Sequence, residues 1–151
     1  MGSSLKLFSV RGIDVRLHIT FPLILLWAAY QFGLSDGNLN GALFGVVAIS
    51  VLFILVTLHE LGHSFVAQYF GYRVEKIVLS PLGGVAQLAE MPEKPSQEFL
   101  VAIAGPAVNI VVAIVMGLVA LGAGLPLFNP LLVSNGAVGF GLEALFSYIF
   151  F

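Results

Sequence analysis

From Leu5 to Leu17 apolar and polar residues alternate, with Ile13, Val15 and Leu17 on one side and Asp14, Arg16 and His18 on the other. That period of two predicts a short hairpin turning near Arg11-Gly12. Longer apolar runs follow. Leu17 to Leu34 is a first membrane-helix candidate, with Trp27 and Tyr30 toward its far side, and Ser35-Asp36-Gly37-Asn38 is a turn-rich linker. A second helix is predicted from Gly41 to Phe70. Its roughly 30 residues give ~45 Å, more than the ~30 Å hydrocarbon core, so it tilts or protrudes. Arg73, Glu75 and Lys76 then interrupt the apolar pattern between Gly71 and Glu90. Val74 to Leu79 reads as a strand, Pro81-Leu82-Gly83-Gly84 as a turn and Val85 to Leu88 as the return strand. Met91 to Pro95 is a polar loop. Ser96 reads as an N-cap, with Glu98 in the first turn where the helix dipole favours an anion. Phe99 to Leu121 is the third membrane helix, broken at Gly105-Pro106, and a last apolar run begins near Leu131 and continues through Phe151.

Composition sharpens this pattern. Hydrophobic residues make up 59% of the 151, charged residues only 9%, and the mean hydropathy is +1.04. Such a chain is lipid-embedded. The predicted class is a mainly α-helical membrane protein of about four transmembrane helices, the last incomplete, with a small membrane-associated β-sheet in a single domain. Counted from Gly136, the last run has 16 residues, ~24 Å of helix, short of a crossing. A helix ending in lipid leaves its last carbonyls unpaired, so the natural protein is expected to continue beyond Phe151. The first apolar run lacks a small-residue cleavage site, which argues against a cleavable signal peptide. Nothing in the sequence suggests nucleic-acid binding.

Charge placement says more than the net charge of −2. All six basic residues (Lys6, Arg11, Arg16, Arg73, Lys76 and Lys94) precede the first apolar helix or lie between the second and third. Two crossings return the chain to the same side, and the positive-inside rule makes that side cytoplasmic.

One segment carries the chemistry. His59-Glu60-Leu61-Gly62-His63 lies about 18 residues into the second helix, ~27 Å from its start, near where it leaves the membrane. Residues four apart share a helical face, so His59 and His63 can converge on one metal ion, with Glu60 close enough to act as general base. The bland reading is a polar cluster bonded between packed helices. Ionisable groups at membrane depth are costly, and two imidazoles at ligand spacing around a carboxylate favour zinc hydrolysis instead. Zinc brings the pKa of its water to about 7, which lets Glu60 take a proton and pass it to a leaving amine. With no cysteine in the chain, any metal site uses His and carboxylates.

A catalytic zinc takes three protein ligands, and only two are evident. Glu143 stands alone in an apolar run, but a contact to another helix or a place near water explains it as well. Asp36 is on the wrong side, while Asp14 and Glu98 are shallow. The third ligand is most simply placed beyond the end of this chain. Asn109, one turn after Gly105, is either interhelical glue or a donor to the developing oxyanion. His18 reads as an interfacial residue or a cap, with a catalytic role as the lesser alternative. The Gly83-Gly84 hairpin is an ordinary turn or, beside a protease site, an edge that binds an unwound substrate by strand addition.

These residues together resemble the site-2 protease family of intramembrane zinc metalloproteases. The resemblance rests on His59-Glu60-Leu61-Gly62-His63, Pro81-Leu82-Gly83-Gly84-Val85-Ala86 and Ala104-Gly105-Pro106-Ala107-Val108-Asn109, and Arg16-Leu17-His18-Ile19-Thr20-Phe21 is similar to the prokaryotic branch. It implies a multi-pass membrane protease, its active site toward the cytoplasm, in which His59 and His63 bind Zn2+, Glu60 is the base and Asn109 lies near the active site. Implied partners are the lipid bilayer and a transmembrane substrate, such as an anti-sigma factor or a membrane-tethered transcription factor; homo-oligomerisation is left open. The family's third ligand, an aspartate in an Asn-Pro…Asp-Gly segment, is absent, and no Asp-Gly follows Asn129-Pro130. On that reading residues 1–151 are a metalloprotease core lacking its C-terminal part. The competing reading is an inactive fragment or relative that binds membrane helices or conducts ions.

Overall fold

A computed structural model describes residues 4–88 and 94–122. Strands β1 (Ser4–Val10) and β2 (Ile13–His18) lead into helix α1 (Phe21–Phe32), a 3-10 turn at Leu34–Asp36 and the long helix α2 (Leu39–Tyr69). Strands β3 (Val74–Ser80) and β4 (Gly83–Leu88) and helix α3 (Pro95–Gly122) follow. The four strands form one sheet in sequence order, antiparallel at both edges and parallel where β2 meets β3.

Both hairpins form where the turn residues predict them. Arg11 and Gly12 have φ of 49° and 82°, as the primed two-residue turn requires. Arg11 is not glycine, and contacts to α2 hold it there. Its carbonyl accepts from Gln68 Nε2 at 3.2 Å, and its guanidinium sits 5.4 Å from the centre of the Phe65 ring. The inward face of the sheet supplies Ile13, Val15 and Ile77, all wholly buried, to a core shared with Phe53, Leu61 and Ala67 of α2. The sheet therefore lies along the C-terminal half of α2, while α1 runs along its N-terminal half.

Helix α2 starts at Asn38, whose Oδ1 accepts the Gly41 N–H at 3.1 Å. Its hydroxyl side chains are satisfied within the helix. Ser50, Thr57 and Ser64 each donate to the carbonyl four residues back, all at 2.7 Å, which is how hydroxyls are tolerated in so apolar a segment.

Three sequence expectations change. The first apolar helix is 12 residues, Phe21–Phe32, rather than Leu17–Leu34. Its start is delayed because β2 pairs with β1 as far as His18, and its end comes early because the chain folds back at Gly33, whose missing side chain makes room for the Asn38 carbonyl. At ~18 Å it falls short of a crossing. Among the described residues, two helices, α2 and α3, are long and apolar enough to span a membrane. The predicted fourth run lies outside the described residues. Second, Ser96 is not the cap of α3, which begins one residue earlier. Pro95 has φ preset for the first helical position, and the Lys94 carbonyl accepts from Gln97 and Glu98. Third, α3 is not broken at Gly105-Pro106 but runs through both. The proline removes one rung of the ladder, and packing against α2 holds the helix across the gap.

Helices α1 and α2 approach backbone to backbone at Gly41 and Gly45. A Cβ on Gly45 would lie 2.6 Å from the Ala28 carbonyl oxygen, and one on Gly41 would meet the Phe32 carbonyl. Gly45→Ala is expected to lower stability by about 1–3 kcal/mol, because the obstacle is backbone and cannot rotate aside. Unfolding by titrated denaturing detergent measures the loss.

Candidate metal centre

His59, Glu60 and His63 lie on α2 where it faces both α3 and the β3–β4 hairpin. The four-residue spacing sets the two imidazoles edge to face, ring centres 4.7 Å apart and planes at 80°. Their Nε2 atoms are 3.0 Å apart. His63 Nδ1 lies 2.6 Å from the Val101 carbonyl of α3. A carbonyl only accepts, so the ring proton is on Nδ1 and Nε2 presents its lone pair toward His59. This is the arrangement by which an outer hydrogen bond fixes the tautomer of a ligating histidine. His59 Nδ1 is buried without any hydrogen bond.

Space for the rings comes from α3. A Cβ at Gly105 would coincide with the edge of the His63 ring and lie 2.7 Å from His59 Nε2. Immediately before His63, Gly62 lets the helices touch, since a Cβ there would lie 2.8 Å from Val108 and 2.9 Å from the Ala104 carbonyl oxygen. Zinc–nitrogen bonds of about 2.0–2.1 Å at a tetrahedral angle put two nitrogens roughly 3.3 Å apart. The observed 3.0 Å separation, the fixed tautomer and the glycine cradle fit such an ion.

A cavity of about 590 Å³ opens beside the histidines, lined by His59, Glu60, Gly83, Gly84 and Asn109 with apolar side chains such as Leu52 and Met116. Glu60 is set by the hairpin. A Cβ on Gly84 would lie 2.8 Å from Glu60 Cγ and 3.1 Å from Val56 Cγ1, so the strand closes on the arm of this carboxylate. Asn109 reaches the same cavity from α3. Polar groups converging in a mostly apolar cavity are the usual anatomy of a reaction site.

The other candidates are placed elsewhere. His18 Nδ1 accepts the Thr20 N–H at 3.3 Å and lies 2.7 Å from the Thr20 hydroxyl, at the start of α1. Asp14 is paired with Lys6 at 2.6 Å, and that hydrogen bond holds its carboxyl below the usual range. Asp36 follows α1, and Glu98 is in the first turn of α3. Among the described residues no third His, Asp or Glu joins the pair to complete a metal cluster; Glu143 lies outside them. Two contributors escape the sequence reading. The Val101 carbonyl has no sequence signal, and it is not the one Pro106 deprives of a donor, which belongs to Ala102. Gly84 is legible as a turn residue, but not as the surface against which Glu60 packs.

Comparison with known proteins identifies the family of the chain. The chain is 43% identical over 116 residues to zinc metalloprotease MJ0392 of Methanocaldococcus jannaschii, covering 77% of this chain and 32% of that protein. It is 35% identical over 136 residues to the putative zinc metalloprotease sll0528 of Synechocystis, covering 86% of this chain and 35% of the other. The chain thus spans about a third of the length of these relatives. The solved structure of a site-2 protease from Methanocaldococcus jannaschii superposes with a TM-score of 0.60 at 39% identity, over 78% of this chain and 51% of that one. Residues 47–149, which include the paired histidines, Glu60 and Asn109, match peptidase family M50. The chain belongs to peptidase family M50, the site-2 proteases.

Proposed function

We propose that this chain contributes the catalytic half-site of an intramembrane zinc endopeptidase that cleaves transmembrane segments of membrane-anchored regulators. The observation that carries the reading is the pair of imidazole Nε2 atoms 3.0 Å apart, one ring locked by Val101, beside a cavity that also holds Glu60 and Asn109. His59 and His63 would hold the ion, and a carboxylate from outside the described residues would complete its set. Bound there, zinc supplies Lewis acidity that brings the pKa of water to about 7.

The chain's own residues account for the rest. Glu60 accepts the proton of the attacking water and delivers it to the leaving amine as the C–N bond breaks. Asn109, across the cavity, donates its amide N–H to the carbonyl oxygen as negative charge develops. Among the described residues β4 is an edge strand, and it begins at Gly83 and Gly84, both in the cavity wall, which supports binding of an unwound substrate as an added strand. An extended segment has the exposed peptide bonds that a helix hides. The basic residues flanking α1 and α3 support a cytoplasmic position for this end of α2.

The full-length protein, purified without chelator, is expected to carry one zinc per chain. It should also cleave a reporter protein bearing a transmembrane segment. His59→Ala and His63→Ala should each lose both. Metal analysis giving no zinc in the unmutated protein, with cleavage intact, would overturn the reading.

A further inference from the structure

The outward face of the sheet, turned away from α2, carries a second polar cluster. Lys6 and Arg16 are register partners across β1 and β2, as are Asp14 and Lys76 across β2 and β3. Arg16 and Asp14 alternate with the buried Ile13 and Val15, so this set points away from α2. Asp14 is shared. Its Oδ1 takes Lys6 at 2.6 Å, which leaves Arg16 a 3.4 Å contact to Oδ2. Arg16 Nε is buried and has no hydrogen bond. A guanidinium is a planar fork suited to two oxygens of one anion, and here part of that fork is withdrawn from water without an acceptor. On the other side of Arg16 the same row continues through Val78 to Val85, which is 59% exposed. The row is thus cationic at one end and apolar at the other.

Its level along α2 matches that chemistry. Arg11 touches Gln68 of α2, and Phe21 packs on Phe53 with ring centres 4.6 Å apart. Arg16 lies midway between those two contacts, near the level of Leu61. From Leu39 to Leu61 is 22 residues, ~33 Å of helix against a hydrocarbon core of ~30 Å. A helix entering the bilayer at Leu39 therefore brings Arg16 to the opposite headgroup layer.

We propose that this face binds the phosphate of an anionic phospholipid, with Arg16 and Lys6 on its oxygens, Lys76 beside them and an acyl chain along Val78 and Val85. The proposal rests on α2 spanning the membrane, and its site is separate from the metal centre.

The test uses the full-length protein in neutral detergent. Dioleoyl-phosphatidylglycerol or dioleoyl-phosphatidylcholine is added, and bound lipid is counted by native mass spectrometry. Phosphatidylglycerol should be retained preferentially, and Arg16→Gln should weaken its retention about fivefold, the effect of one basic group at a lipid surface. Arg16→Lys should fall between the two. Should Arg16→Gln fail to fold, Lys76→Gln serves instead and should weaken retention in the same sense. Equal retention of both lipids, undiminished phosphatidylglycerol on the folded Arg16→Gln protein, or full competition by inorganic phosphate would each overturn the proposal. Release of the protein from membranes by alkaline carbonate would overturn the spanning of α2 itself, whatever the lipid result.

Discussion

Gly105→Ala should empty the metal centre. The substitution adds one methyl group at a position where it would coincide with the His63 ring and lie 2.7 Å from His59 Nε2. Neither ring has a route out. His63 is tied at 2.6 Å to the carbonyl of Val101, on the same helix that would carry the methyl, and His59 packs edge to face against His63. Separating the helices by enough to admit the methyl would undo the contact that Gly62, next to His63, makes with Ala104 and Val108. Loss of a fixed outer partner alone costs a metal site about 10–100-fold in affinity. Displacing the ligand itself should cost more than ~100-fold. Zinc content per chain after dialysis is the measurement, with thermal unfolding alongside to show that the protein is still folded. A Gly105→Ala protein that keeps one zinc per chain would mean that the rings take other positions when the ion is bound.

Glu60→Gln should separate metal binding from turnover. Glutamine has the same shape, so the packing of the arm against Gly84 survives and the histidines are untouched. Only the ability to take a proton is removed. A positioned general base contributes about 10²–10⁴-fold, so cleavage of the transmembrane reporter should fall by that factor while zinc stays at one per chain. Single-turnover cleavage with excess enzyme is the appropriate assay, because it isolates the chemical step from product release. Retention of more than about a tenth of the activity would remove Glu60 from the role of base. The two variants differ in kind: Gly105→Ala should abolish the centre, whereas Glu60→Gln should leave it intact and idle.

Much of this was legible in the residues. Alternation from Leu5 to Leu17, because a half-buried strand alternates, and the strand-like runs Val74 to Leu79 and Val85 to Leu88 indicated four strands, and the turn chemistry of Arg11-Gly12 and Pro81–Gly84 placed both hairpins. The imidazole spacing was equally direct, since helical geometry puts residues four apart on one face. The boundaries of α1 were not legible, because Leu17 and His18 suit a strand or a helix, and only pairing with β1 decides. Continuity of α3 through Pro106 was hidden for a similar reason: intrinsic propensity opposes it, and packing across helices outweighs propensity.

The amino-acid sequence by itself determined which groups can do chemistry here, because ligand type, spacing and the apolar setting are local properties of the chain. Tertiary structure alone decided that those groups have room and orientation. Gly105 and Gly84 come from distant segments, and their role is the absence of a side chain, which acquires meaning only against the neighbour that fills the space. The carbonyl of Val101 fixes a tautomer from 38 residues away, and no local pattern encodes which of many identical backbone groups will be the one in reach.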